Sequence, residues 1–197
     1  MKDRKNGYIY YDYHKKTEKE EISDTAWTSV FHWLYGIVGF LFVLFIVFVL
    51  FFKVVEVDGE SMSPTLDAND KLLVYTMNYI PKQGDIVVIS AGDDELSLIK
   101  RIIATENQTV EVDYKTGKVI VDGMEIKENY ITEMSAPEDN EISYPYTVPE
   151  NCVFVMGDNR NESRDSRSKV ISAVEEYRIV GKAIIRLFPF SDRNIYE

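Results

Sequence analysis

Residues 33–52 read WLYGIVGFLFVLFIVFVLFF and decide the organisation of the chain, because these 20 positions contain no charged side chain. At about 1.5 Å per residue, a helix of this length spans roughly 30 Å, the thickness of the hydrocarbon core of a bilayer. A core helix of a soluble protein keeps a polar face, and this stretch has none. The sequence therefore predicts a transmembrane helix over residues 30–53.

The residues on either side of this helix predict that the helix is not cleaved from the chain. They also predict its orientation in the membrane. Its apolar run is longer than the core of a usual signal peptide, and no small-residue cleavage site follows it. Six Lys and Arg residues lie within the first 19 positions, whereas only Lys53 and Lys71 lie between positions 53 and 72. Because positive charge stays inside, we expect a signal-anchor in the lipid bilayer, with residues 1–29 as a cytoplasmic tail and residues 54–197 outside.

Charge and composition exclude several functions for the outer part. Residues 54–197 carry 27 acidic and 15 basic side chains, which argues against a nucleic-acid partner, since phosphate binding needs clustered positive charge. Both histidines, His14 and His32, precede this part, and Cys152 is the only cysteine. A Ser-His-Asp triad, a Cys-His pair and a His-based zinc site are therefore excluded outside the membrane. We expect no metal and no cofactor, and any hydrolytic chemistry there must use another base.

After the helix, the hydrophobic pattern changes to short runs bounded by turn residues. Such runs predict β-strands near residues 71–75, 85–89, 96–104, 109–112, 119–121, 151–156 and 179–188. Residues 132–150 indicate an acidic surface loop, and residues 169–177 are ambiguous between helix and irregular chain. Strands at this spacing favour one mainly β domain, barrel-like or sandwich-like.

Two residues in this domain could form a nucleophile and its base. Ser61 stands in GESMSPTL, residues 59–66, where Gly59 allows close backbone approach and Pro64 restricts the turn. Taken alone, an ordinary turn is the favoured interpretation of this stretch. Lys100 stands in the apolar strand SLIKRII, residues 97–103, where burial would lower its pKa towards that of a general base. The alternative is an edge-strand lysine that extends to the solvent.

A third polar stretch, GDNRNESRDSR, covers residues 157–167 directly after an apolar run. Its Asp and Arg side chains can pair and hold a loop, and its Ser hydroxyls can orient an amine. Alone, it could equally be a surface turn or a cation-binding loop, although its spacing does not match an EF-hand.

Together these stretches resemble the bacterial type I signal peptidases, which are membrane-anchored Ser-Lys proteases. Residues 59–66, 84–88, 100–103 and 157–167 are similar, in this order, to four sequence boxes of the family, and residues 157–167 match G-D-N-R-x-x-S-x-D-S-R at every fixed position. The resemblance implies a largely antiparallel β domain on the outer surface of the bacterial cell membrane. It also implies cleavage of N-terminal signal peptides from exported preproteins, with the secretion machinery as a partner.

By the same resemblance, Ser61 is the nucleophile and Lys100 the general base. Ser163 would orient the Lys100 amine, and Asp165 and Arg167 would form a supporting ion pair. Positions near the S1 and S3 substrate pockets would be held by Met62, Leu66, Leu98 and Ile99.

The chain departs from the family pattern at one position that concerns catalysis. Some members carry a serine where this chain has Gly59, so a second, side-chain donor to the oxyanion is missing here. Two alternatives stay open: a specialised Ser-Lys protease with another substrate, and a non-catalytic membrane-anchored β module that binds exported proteins.

Overall fold

The computed structural model describes residues 13–90, 97–131, 134, 141–190 and 193–196. It divides into two compact units, Met1–Val49 and Leu50–Glu197. The first 12 residues of the predicted cytoplasmic tail lie outside the described part of the chain.

The first unit contains a single long helix among its described residues, α1 (Tyr13–Phe51). The helix begins within the predicted tail, because residues 13–26 are rich in Lys and Glu and contain no Gly or Pro. Its portion Trp27–Phe51 is long and apolar enough to cross a membrane, and the large apolar side chains from Trp27 to Leu50 are exposed. A helix that is apolar all round and buries none of these side chains is typical of a membrane span.

The second unit is built from antiparallel strands, which confirms the predicted mainly β fold. Among the described residues the strands are β1 (Phe52–Glu56), β2 (Lys71–Tyr75), β3 (Ile86–Ile89), β4 (Leu98–Ala104), β5 (Thr109–Asp113), β6 (Lys118–Val121), β7 (Met124–Glu125), β8 (Tyr146–Thr147), β9 (Cys152–Met156), β10 (Val174–Glu175) and β11 (Ile179–Phe188). One sheet has the order β1-β2-β11-β3-β4-β9-β10, and a smaller sheet has the order β7-β6-β5-β8.

Four short strands, β1, β7, β8 and β10, lie where the sequence predicted none, and β7 pairs with the neighbouring β6. Strand β1 begins directly after the helix, and its residues pair in register with β2, from Phe52 opposite Tyr75 to Glu56 opposite Lys71. Strand β8 lies within the predicted loop 132–150, of which residues 132–133 and 135–140 lie outside the described part. The ambiguous segment 169–177 contains β10 and the start of a 3-10 helix, Glu176–Arg178. Strands β1, β8 and β10 each pair with a strand that is more distant in the sequence.

The position of β4 places Lys100 in the middle of the large sheet. Lys100 lies opposite Val87 of β3, and the adjacent Arg101 lies opposite both Ile86 of β3 and Met156 of β9. An edge-strand lysine is thereby excluded at position 100. Hydrophobic clusters cover both faces of this sheet, and a further cluster joins β9 to the small sheet through the fully buried Phe154.

Candidate active site

Ser61 lies in the loop that joins β1 to β2. Backbone hydrogen bonds close the base of this loop, from Val57 N to Asp70 O (2.8 Å) and from Asn69 N to Val57 O (2.9 Å). Gly59 adopts φ = +88°, a left-handed conformation that a residue with a Cβ rarely tolerates. The conformation of the loop therefore requires glycine two residues before Ser61.

Buried apolar side chains anchor the same loop on the sheet. Met62 is 1% exposed and Leu66 is fully buried, and Leu66 N donates a hydrogen bond to Met62 O (2.9 Å) that forms one tight turn. Ser61, next to this anchor, stays partly exposed. The loop thus presents a hydroxyl at the surface of a rigid support.

The side chain of Lys100 reaches this hydroxyl. Lys100 is only 3% exposed, and its Nζ donates a hydrogen bond to Ser61 Oγ at 2.6 Å. At this distance a neutral amine can instead accept the hydroxyl proton. The two residues are 39 positions apart in the sequence, and the fold brings them into direct contact.

The surroundings lower the pKa of Lys100 below its ordinary value of 10.5. The main cause is burial, because the charged ammonium loses its hydration in the protein interior. The carboxylates of Asp165 and Asp158 oppose this shift, and the guanidinium of Arg167 adds to it. A larger fraction of the amine is therefore neutral at a given pH than in an exposed lysine.

The loop after β9 brings Asp165 and Arg167 together as a buried ion pair. Arg167 Nε lies 2.8 Å from Asp165 Oδ1, and its Nη2 lies 3.0 Å from Oδ2, which makes the contact bidentate. The same carboxylate accepts a hydrogen bond from Gly157 N at 3.0 Å. A paired and hydrogen-bonded carboxylate of this kind holds the loop in one conformation.

Ser163 lies beside residues 57–70, the loop that carries Ser61, which we name the nucleophile loop after the role predicted for Ser61. Its Oγ is buried and has no hydrogen-bond partner among the described residues, so the predicted bond to Lys100 is not formed. A Cβ on Gly157 would lie 2.3 Å from Ser163 Oγ and 2.4 Å from the carbonyl oxygen of Ser61. Only glycine therefore fits between Ser163 and the nucleophile loop.

A second buried ion pair, next to Lys100 in the sequence, was not predicted. Arg101 binds Asp158 through Nε (2.9 Å) and Nη2 (2.6 Å), and the ring of Tyr130 lies 3.8 Å from the guanidinium. Thr65 Oγ1 donates to the same carboxylate at 2.6 Å. An arginine in an apolar strand requires an acidic partner, and that requirement could have pointed to Asp158.

The four predicted pocket positions divide between two faces of the large sheet. Met62, Leu66 and Ile99 lie in one buried cluster, whereas Leu98 packs against the other cluster. Successive residues of a strand point to opposite faces, so Leu98 and Ile99 cannot line the same side. Within the described part of the chain, no group of three His, Cys, Asp or Glu side chains could hold a metal ion.

Comparison with known proteins identifies similar sequences along most of the chain. A family model described as "Signal peptidase, peptidase S26" matches residues 30–188, a range that includes Ser61, Lys100 and the loop 157–167. A "Signal peptidase I" of Bacillus licheniformis is 31% identical over 183 residues, which cover 88% of this chain and 96% of the relative. A "Probable signal peptidase I-1" of Synechocystis sp. is 39% identical over 146 residues, which cover 68% of this chain and 70% of the relative. A crystal structure of a signal peptidase I from Enterococcus faecalis matches 53% of this chain and 97% of that chain, with 26% identity and a TM-score of 0.42.

Proposed function

Because the chain belongs to the signal peptidase family, peptidase S26, it is a serine endopeptidase that cleaves signal peptides, and we propose that Ser61 and Lys100 form its catalytic dyad. The observation that carries this proposal is the 2.6 Å contact between Nζ of the buried Lys100 and Oγ of the partly exposed Ser61. A lowered lysine pKa supports it, because only the neutral amine can accept a proton.

The proposed reaction proceeds through an acyl-enzyme. Neutral Lys100 accepts the Ser61 hydroxyl proton while Oγ attacks the carbonyl carbon of the scissile peptide bond. The resulting ammonium gives this proton to the leaving amine as the C–N bond breaks, which leaves an ester on Ser61. Lys100 then accepts a proton from the water that attacks the ester, and the proton returns to Ser61 Oγ as the acid is released.

Groups next to the proposed dyad would stabilise the oxyanion and orient the Lys100 amine. The backbone N–H of Ser61 donates to the developing oxyanion. No side chain at Gly59 can add a second donor, since this position requires a glycine conformation. Ser163, whose buried hydroxyl has no partner among the described residues, orients the Lys100 amine during the reaction. The Asp165–Arg167 pair keeps the loop that carries Ser163 in place.

We infer that the substrates are preproteins whose signal peptides carry small residues at positions −1 and −3 relative to the cleaved bond. Met62, Leu66 and Ile99, which share one buried cluster, would form the floor of the pockets for these residues. Leu98, from the opposite face of β4, would contribute at the margin of the site. A shallow apolar floor accepts a small side chain and excludes a long one.

The family and the apolar helix indicate membrane anchoring. In the proposed arrangement, residues 1–29 lie in the cytoplasm, residues 30–53 span the bacterial cell membrane, and residues 54–197 form the peptidase domain outside. The charge distribution around the helix supports this orientation. The anchor holds enzyme and membrane-bound precursor on one surface, so weak contacts with the signal peptide and the secretion machinery suffice.

The dyad is tested by incubating the detergent-solubilised full chain with one preprotein and determining the masses of the products. We expect Ser61→Ala and Lys100→Ala to abolish cleavage and to retain the β fold in circular dichroism. Lys118→Ala is the matched control, because Lys118 is also a strand lysine but its side chain is 49% exposed. Full activity of a folded Lys100→Ala variant would exclude the dyad. Cleavage away from the signal peptide boundary would indicate a differently specialised Ser-Lys protease.

A further inference from the structure

Thr65, four residues after Ser61, is held from two sides. Its Oγ1 donates to Asp158, the partner of Arg101, and its backbone carbonyl accepts a hydrogen bond from Nη2 of Arg186. Arg186 belongs to β11, the last strand, where it lies opposite Leu72 of β2. Contacts therefore run from the last strand through the nucleophile loop to β4, the strand of Lys100.

The same guanidinium contacts a second point of the loop. Arg186 Nε lies 2.9 Å from Asp70 Oδ2, which makes the two residues an ion pair. Asp70 Oδ2 also accepts a hydrogen bond from Asp67 N at 3.0 Å. Arg186 is 6% exposed and Asp70 is 3% exposed. The second half of the nucleophile loop is thus attached to one buried arginine at both Thr65 and Asp70.

From this arrangement we infer that Arg186 is a positioning residue, which holds the nucleophile loop so that Ser61 Oγ stays in contact with Lys100 Nζ. The hydrogen bond from Leu66 N to Met62 O transmits the constraint, because it joins the Thr65 end of the loop to the Ser61 end. Proton transfer requires near-contact geometry, and a misplacement of about 1 Å can lower a rate about 100-fold. The inference rests on the dyad proposed above.

A purely structural role for Arg186 predicts a different result. In that case, replacement would lower the stability of the domain, and the rate of the remaining folded protein would not change. Arg178 provides the matched control, because its Nε (3.1 Å) and Nη2 (2.9 Å) donate to the carbonyl of Ser90. It is an arginine with comparable backbone contacts and no contact with the nucleophile loop.

The experiment compares Arg186→Lys, Arg186→Gln and Arg178→Gln in the detergent-solubilised full chain, at a temperature at which circular dichroism shows each one folded. Arg186→Lys is the decisive variant. The lysine ammonium can still pair with Asp70, but lysine lacks the planar guanidinium that contacts Asp70 and the Thr65 carbonyl at the same time. The measurements are kcat and KM for a preprotein and the pH dependence of kcat/KM.

We expect both Arg186 variants to lower kcat about 10-fold to 100-fold. We also expect an unchanged apparent pKa, because burial, Asp165, Asp158 and Arg167 shift the pKa of Lys100 and Arg186 is not among these causes. For Arg178→Gln we expect a kcat close to that of the unmodified chain. A folded Arg186→Lys variant with the unmodified kcat would overturn the inference, as would an equal loss in Arg178→Gln. Ser61→Ala separates the two proposals. If it is inactive while Arg186→Lys is fully active, only the inference fails, whereas activity in Ser61→Ala would overturn the dyad and this inference with it.

Discussion

Replacement of Lys100 by Met should stabilise the protein at neutral pH while it abolishes catalysis. The buried amine loses its proton in the folded protein at a pH where the unfolded chain, with an ordinary lysine pKa of 10.5, still holds one. Unfolding then takes up a proton and is favoured by acid. Methionine has a similar length and no charge, so it removes this contribution without leaving a large cavity.

The size and sign of the effect follow from proton linkage. Between the lowered folded-state pKa of Lys100 and 10.5, the free energy of unfolding rises by about 1.4 kcal/mol per pH unit in the unmodified chain. In the Lys100→Met variant, the free energy of unfolding does not have this dependence on pH. The stability advantage of the variant should therefore be greatest below the folded-state pKa, fall by about 1.4 kcal/mol per pH unit above it, and disappear near 10.5.

Urea unfolding of the detergent-solubilised chain, followed by circular dichroism at a series of pH values, measures this difference. Lys118→Met is the control, because the Lys118 side chain is 49% exposed and its replacement should give a difference that varies little with pH. The acylation rate of the unmodified chain should increase with pH, about tenfold per unit, until Lys100 is neutral. A stability difference that stays constant between about pH 6 and about pH 10 would refute the reasoning.

Two further substitutions test the packing around the dyad. Gly157→Ala should reduce the acylation rate about tenfold or more. The added Cβ would lie 2.3 Å from Ser163 Oγ and 2.4 Å from Ser61 O, so the Ser163 side chain or the Ser61 backbone must move. Single-turnover kinetics measure the loss of rate. Asp158→Asn should lower the free energy of unfolding by about 3–5 kcal/mol, because it removes the negative partner of Arg101, whose side chain is only 4% exposed. Urea unfolding measures the change.

Each of these substitutions has a control in the same chain. Gly39→Ala should leave the acylation rate unchanged, because a Cβ at that helical position meets nothing within 4 Å. A normal acylation rate for Gly157→Ala would contradict the close approach described at that glycine. Glu125→Gln removes the acid of an exposed ion pair and should change stability little. If Asp158→Asn is no more destabilising than Glu125→Gln, the buried pair does not stabilise the domain.

Local sequence patterns predicted the elements whose formation depends on nearby residues. Strands β2 and β11 begin and end where the hydrophobic pattern and the flanking turn residues indicated. Strand β1 was missed, because residues 52 and 53 were assigned to the end of the predicted helix, whereas in the structure residues 52–56 pair with β2. Tertiary pairing overrides local preference at such boundaries.

The sequence by itself determined the apolar span and a mainly β domain, because hydrophobic periodicity depends on neighbours along the chain, whereas the roles predicted for Ser61 and Lys100 came from the resemblance of their short motifs to those of the signal peptidases. Tertiary structure alone decided that Lys100 touches Ser61, that Asp158 neutralises Arg101, and that Arg186 of the last strand supports the nucleophile loop. These contacts join residues between 39 and 121 positions apart. No local pattern encodes such pairs, because a buried charge takes as its partner whichever opposite charge or carbonyl the completed fold brings next to it.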